Sequence, residues 1–233
     1  MSLSRRAAIF TSLAASFASA AFAAPVLAQG RGGRGRRGDP ANSAEPLAAD
    51  DFERNALAVL ADIDNNQRFR NVSRDDGRLL RMHVECMNAR RVIEIGTSTG
   101  YSGLWLAMGL KRTGGKLTTF EIDRERARVA LANFKRAGVS DIVEIVVGDA
   151  VAETKKVSGE LDIVFSDADK DNYLTYWRTL SPLLRKGGLF ISDNMAIPRP
   201  EPAYVKAITG DPAFDTTFIN MDGTGVGISL KKL

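Results

Sequence analysis

From Arg91 onward the chain alternates short apolar runs, rich in β-branched residues, with longer amphipathic stretches. The runs Arg91–Ile95, Lys116–Ile122, Ile142–Val147, Leu161–Ser166 and Gly188–Ser192 predict strands. Between them, Tyr101–Leu110, Arg124–Ala137, Asp149–Lys156 and Tyr173–Leu184 predict helices. Upstream, Asp50–Asn65 carries Leu57, Leu60 and Ile63 at helical spacing, and Gly77–Asn88 reads as a second helix. The last part breaks the rhythm: a helix over Pro202–Thr209, then strands over Phe214–Asn220 and Gly225–Leu230 joined by a short glycine-containing turn. Strands joined so tightly must run antiparallel. The predicted class is α/β, a doubly wound, mostly parallel seven-stranded sheet ending in an antiparallel hairpin. Ligands of such sheets bind beyond the carboxyl ends of the strands.

The first fifty residues do not share this pattern. Ser4-Arg5-Arg6 precedes an apolar, alanine-rich run from Ala7 to Ala28, with Val26-Leu27-Ala28 resembling a processing site. Paired arginines, an apolar stretch and small residues predict a twin-arginine export signal over 1–28, with an uncleaved membrane anchor as the alternative. Residues 29–49, opening on GRGGRGRRG, read as a disordered Gly/Arg-rich linker, since like charges repel and glycine raises backbone entropy. The folded domain is then 50–233.

This division changes the meaning of the +4 net charge. Arg5, Arg6, Arg31, Arg34, Arg36 and Arg37 lie in residues 1–38 without an acid, leaving 26 basic and 28 acidic side chains in the remaining 195 residues. The folded part is nearly neutral, which argues against nucleic acid as its partner. One cysteine, Cys86, excludes an internal disulfide, and one histidine, His83, excludes a two-imidazole mechanism.

Candidate chemistry sits at the strand ends. Gly96 and Gly100 bracket Gly96-Thr97-Ser98-Thr99-Gly100, letting the backbone turn sharply against a ligand. The G-x-x-x-G spacing departs from the G-x-G-x-x-G of dinucleotide folds and ranks a dinucleotide oxidoreductase last. Glu121 ends the second strand, where a carboxylate accepts from both hydroxyls of a ribose. Gly148-Asp149-Ala150 ends the third and suits an adenine edge. The fourth and fifth strands end in Asp167-Ala168-Asp169-Lys170 and Asp193-Asn194, and neighbouring strands would bring Asp167, Asp193 and Asn194 together. Two carboxylates and an amide oxygen suit a hard divalent cation; helix and turn capping is the alternative use.

Through Asn71-Val72-Ser73, the Glu94–Ser102 block, Gly148-Asp149-Ala150, Asp167–Tyr173 and Asp193-Asn194, residues 71–233 resemble the cation-dependent O-methyltransferase family that includes catechol and caffeoyl-coenzyme A O-methyltransferases. The resemblance implies the class I methyltransferase architecture and S-adenosylmethionine (SAM) as cofactor. It implies that Val72 and Ser102 meet the methionine end, that Glu94, Gly96 and Thr97 line the same pocket, and that Glu121 holds the ribose. Asp149 and Ala150 fall beside the adenine, and Asp169 helps close the site. Asp167, Asp193 and Asn194 correspond to the ligands of a divalent cation, magnesium first and calcium or manganese as alternatives. Lys170, with Asp167, takes the catalytic positions, the lysine as general base.

The implied acceptor is a small hydroxylated aromatic, catechol-like or another vicinal diol, with a homodimer and membrane contact through the N-terminus as further expectations. Some catechol-specific members carry a glutamate before the last hairpin, where Phe214–Asn220 offers only Asp215, a departure that points away from simple catechol. Tyr173 and Trp177 are spaced for core packing. Two rivals remain: a class I methyltransferase with a non-catechol acceptor, and a membrane-tethered, non-catalytic SAM-binding protein. SAM is made in the cytosol, which sets a cytoplasmic location against the export signal.

Overall fold

The computed structural model describes residues 44–196, 201–220 and 224–233. The predicted signal or anchor over 1–28, and the linker as far as residue 43, lie outside the described residues. Residues 44–49, expected as linker, are tied to the fold: Arg74 pairs with Glu45, Arg78 donates to the Ala44 carbonyl at 2.9 Å, and the Ala49 N–H donates to Glu53 at 2.9 Å. Among the described residues, no helix is long and apolar enough to cross a membrane.

Two helices, α1 (Asp51–Asn66) and α2 (Arg74–Cys86), precede the sheet. Each starts where a side chain satisfies an orphan N–H: Asp50 accepts from Glu53 N at 2.8 Å, and Ser73 accepts from Asp76 N at 3.1 Å. The Ser73 cap explains why α2 begins before the predicted Gly77. Alternation follows with β1 (Arg91–Ile95), α3 (Tyr101–Thr113), β2 (Lys116–Glu121), α4 (Arg124–Ala137), β3 (Val143–Val147), α5 (Ala150–Glu153), β4 (Leu161–Ser166), α6 (Tyr173–Leu180) and β5 (Leu184–Ser192). The chain ends with α7 (Pro202–Gly210), β6 (Phe214–Ile219) and β7 (Val226–Lys231).

The strands lie in the order β3-β2-β1-β4-β5-β7-β6, all parallel except β7, which pairs antiparallel with both β5 and β6. Strand alternation splits the apolar side chains between two layers. Val92, Leu117 and Phe165 pack under α1–α4, whereas Ile93, Val164 and Phe190 pack under α6 and α7. Tyr173 and Trp177 belong to the second layer, as their spacing predicted. A buried charge network joins the first three helices: Glu53, with a side chain 4% exposed, pairs with both Arg81 of α2 and Arg112 of α3. Those guanidinium partners and the Ala49 N–H outweigh the cost of burial and hold the Glu53 carboxyl down at about 2.

Two predicted helices are divided in the structure. The stretch Tyr173–Leu184 is not one helix: α6 stops at Leu180, a 3₁₀ turn spans Ser181–Leu183 around Pro182, and Leu184 already starts β5. Proline has no N–H to continue the helix ladder. Likewise Asp149–Lys156 divides into α5 and a 3₁₀ turn over Thr154–Lys156.

Candidate active site

The strand order reverses between β1 and β4, opening a crevice at their carboxyl ends. The parallel ladder continues one residue beyond the strands and sets the loop residues in a row. Gly96 N donates to Phe120 O at 3.0 Å, Asp167 N to Ile95 O at 2.9 Å, and Asp193 N to Ser166 O at 3.1 Å. Gly96 has φ +100°, and a Cβ there would stand 2.5 Å from the Asp167 carbonyl, so only glycine lets the two loops touch. Above this row lies a cavity of about 1290 Å³.

Of the thirteen residues singled out in the sequence, twelve line that cavity: Val72, Gly96, Thr97, Ser102, Glu121, Asp149, Ala150, Asp167, Asp169, Lys170, Asp193 and Asn194. Glu94 is the thirteenth. It does not line the cavity but is fully buried behind it, because strand alternation turns it toward α3, where a Cβ on Gly103 would lie 2.9 Å from its Oε2. Thr119 Oγ1 donates to Glu94 Oε2 at 2.6 Å, while Oε1 has no hydrogen-bond partner. Burial pushes this carboxyl up to about 7.

Glu121 is held rigidly at one end of the cavity. Ser98 N donates to Oε2 at 2.7 Å and Asp123 N to Oε1 at 3.0 Å, leaving each oxygen one further lone pair. Asp149 caps α5 by accepting from Val151 N at 2.9 Å. Asp169 accepts from the Tyr176 hydroxyl at 2.7 Å and from Asn172.

At the other end stand the acids of β4 and β5. Asp193 is 4% exposed; Asn194 Nδ2 donates to its Oδ2 at 2.7 Å, whereas its Oδ1 has no partner. Burial, and then the negative charge of Asp167, push the Asp193 carboxyl up to about 8, with Asp76 adding to the effect. Burial also raises Asp167, against the pull of Lys170. Lys170 Nζ donates to Asp167 Oδ1 at 3.0 Å, to Ala168 O at 3.1 Å and to the Tyr173 hydroxyl at 2.8 Å. That hydroxyl donates to Ser166 O at 2.9 Å, bracing the ends of both strands from beneath. Among the described residues, no group of three or more histidine, cysteine, aspartate or glutamate side chains is arranged to hold a metal. The candidate set therefore rests on two carboxylates and one amide.

A family profile described as O-methyltransferase matches residues 49–197. The chain belongs to this family. It is 37% identical over 158 residues to a catechol O-methyltransferase of Mycobacterium tuberculosis, covering 67% of this chain and 66% of that one. It is 39% identical over 128 residues to caffeoyl-CoA O-methyltransferase 2 of Petunia hybrida, covering 52% of each. The matches thus span between about half and two thirds of the length of these curated relatives. A solved O-methyltransferase from Bacillus cereus, in complex with SAH, superposes with a TM-score of 0.68 at 28% identity over 80% of this chain and 93% of its own.

Family motifs lead to the strand ends but not to the rest of the wall. The link between α1 and α2 crosses the cavity with Arg68, Phe69 and Arg70, α2 adds Arg74, and α4 adds Arg126.

Proposed function

We propose that this chain is a SAM-dependent O-methyltransferase acting on a hydroxyl of a small aromatic vicinal diol, with a divalent cation as partner. One observation supports the reading above others: a carboxylate suited to ribose and a pair of acids suited to a cation share one cavity, with Lys170 beside the acids.

The donor set fits a hard cation. A buried carboxylate oxygen without a hydrogen-bond partner is costly, and Asp193 Oδ1 is such an atom. The charge of Asp167 raises the proton affinity of the buried Asp193, and a cation between the two acids would relieve that repulsion. The Asn194 amide nitrogen is spent on Asp193, which leaves its oxygen as a ligand. Asp167, Asp193 and Asn194 would hold the ion, magnesium in preference to calcium or manganese. When bound, such an ion polarises two adjacent acceptor oxygens, and SAM supplies an electrophilic methyl.

The chain's own residues then divide the work. Glu121 accepts from the ribose hydroxyls through its two spare lone pairs. Val72 and Ser102 face the methionine end, Asp149 and Ala150 the adenine, and Asp169 closes the wall between donor and acceptor ends. Lys170 takes the acceptor's hydroxyl proton, and Tyr173 holds that amine in place. In-line displacement needs the acceptor oxygen fixed behind the methyl group, which the fixed strand ends provide.

The test is methyl transfer from labelled SAM to catechols and caffeoyl-type acceptors, with magnesium and with excess chelator. Asp167→Ala and Asp193→Ala are expected to abolish cation-stimulated turnover while SAM affinity, measured by calorimetry, stays within about threefold. Full activity in chelator would refute the cation assignment. Methylation confined to acceptors lacking a vicinal diol would favour the rival acceptor class.

A further inference from the structure

Residues 67–73 form a strap that links α1 to α2 across the cavity mouth, and its anchors are specific. Asn133 Nδ2 donates to Gln67 Oε1 at 2.8 Å, Ser98 Oγ donates to Phe69 O at 2.6 Å, and Thr99 Oγ1 donates to Asn71 Oδ1 at 3.1 Å. The strap is therefore pinned to the glycine loop after β1 and to α4. Phe69 itself is 45% exposed, an aromatic ring kept out of either core.

Its neighbours explain why it stands there. The Arg126 guanidinium lies 5.1 Å from the Phe69 ring centroid, and that of Arg70 lies 5.8 Å away. Arg126 also stands 3.4 Å from Glu121 Oε1 and 3.4 Å from Asp123 Oδ2, and its Nε is buried without a hydrogen-bond partner. One guanidinium thus joins the strap, through its face, to the carboxylate at the nucleoside end, through its charge. A planar cation serves both uses at once, as an ammonium does not.

We propose that Arg126 and Phe69 are cofactor-positioning residues, a cation–π clasp that closes the strap over the ribose of SAM and keeps Glu121 aligned to receive it. The inference rests on the proposed SAM-dependent function. Glu121 is buried, and its two oxygens are fixed by the Ser98 and Asp123 N–H groups. Arg126 sets a positive charge against it. At 3.4 Å it balances charge without occupying the lone pairs needed by the ribose. The clasp touches neither Lys170 nor the acids of β4 and β5, so its loss falls on cofactor affinity and not on the chemical step.

The experiment is calorimetric titration of the full chain with SAM and SAH, alongside kcat at saturating SAM. Arg126→Met and Phe69→Leu are each expected to weaken SAM by about five- to tenfold, with kcat within about threefold of the parent. The double variant should be little weaker than the worse single one, because both changes remove the same contact. Arg126→Lys should lose most of the affinity that Arg126→Met loses, and Phe69→Tyr should keep the parent's affinity. If Arg126→Met does not fold, the lysine and Phe69 variants carry the same comparison. SAM affinity unchanged in Arg126→Lys and Phe69→Leu, or a loss confined to kcat, overturns the clasp. A parent protein that binds no SAM overturns the proposed function instead, which separates the two failures.

Discussion

Replacing Glu94 by glutamine isolates the energetic cost of an acid sealed behind the cofactor wall. The carboxyl is 0% exposed and is displaced from 4.5 to about 7 mainly by burial. Such a displacement corresponds to about 3 kcal/mol. Below about pH 4.5 folded and unfolded chains both hold the proton, and the contribution to stability is complete. As pH rises toward 7 the unfolded chain releases its proton while the folded chain retains it, so stability falls and the contribution is lost above the folded value. Glutamine keeps the shape and the acceptor for Thr119 but cannot ionise. For a domain of this size each kcal/mol moves Tm by roughly 2–4 °C. The Tm advantage of Glu94→Gln over the parent should therefore grow by about 6–12 °C between pH 4.5 and pH 8. Thermal melts followed by circular dichroism in chelator measure it, and the slope contributed by Asp193 is common to both proteins. Parallel Tm-against-pH curves would refute the assignment of a buried, proton-holding Glu94.

Two further substitutions test other parts of the molecule. Gly77→Ala places a methyl group inside the contact distance of the Trp105 ring; the overpacking between α2 and α3 should cost about 1–3 kcal/mol, read as a lower urea midpoint with unchanged m-value. Tyr173→Phe removes the hydroxyl that accepts from Lys170 and braces Ser166; kcat should fall about tenfold with SAM affinity unchanged, and equal loss in both would show a purely structural role.

The alternation of strands and helices was legible because the central strands β1 and β4 bury both faces and read as apolar runs, and they end at the predicted residues. The start of β5 was not. Leu184-Arg185-Lys186-Gly187-Gly188 looks like a turn, yet the strand bulges there, with its register against β4 shifting between Leu161 and Ile163 and Gly187 at φ +77°. The strand-end residues were legible from motif and position. The depth of Glu94 was not, since a motif carries no statement of how far behind the wall a side chain sits. Phe69 and Arg126 escaped notice because 57 residues separate them and only the packing of the strap on α4 unites them.

The placement of β7 sets the order in which the molecule can be completed. β7 follows β6 in the chain, yet it is not an edge but an interior member, wedged between β5 and β6. Until Lys231 has emerged, β5 offers a bare row of backbone donors and acceptors, and β6 has nothing to pair with. The strand that leads into Asp193 and Asn194 is thus finished only when β7 inserts, and deleting residues 226–231 would separate β6 from the sheet rather than trim its rim.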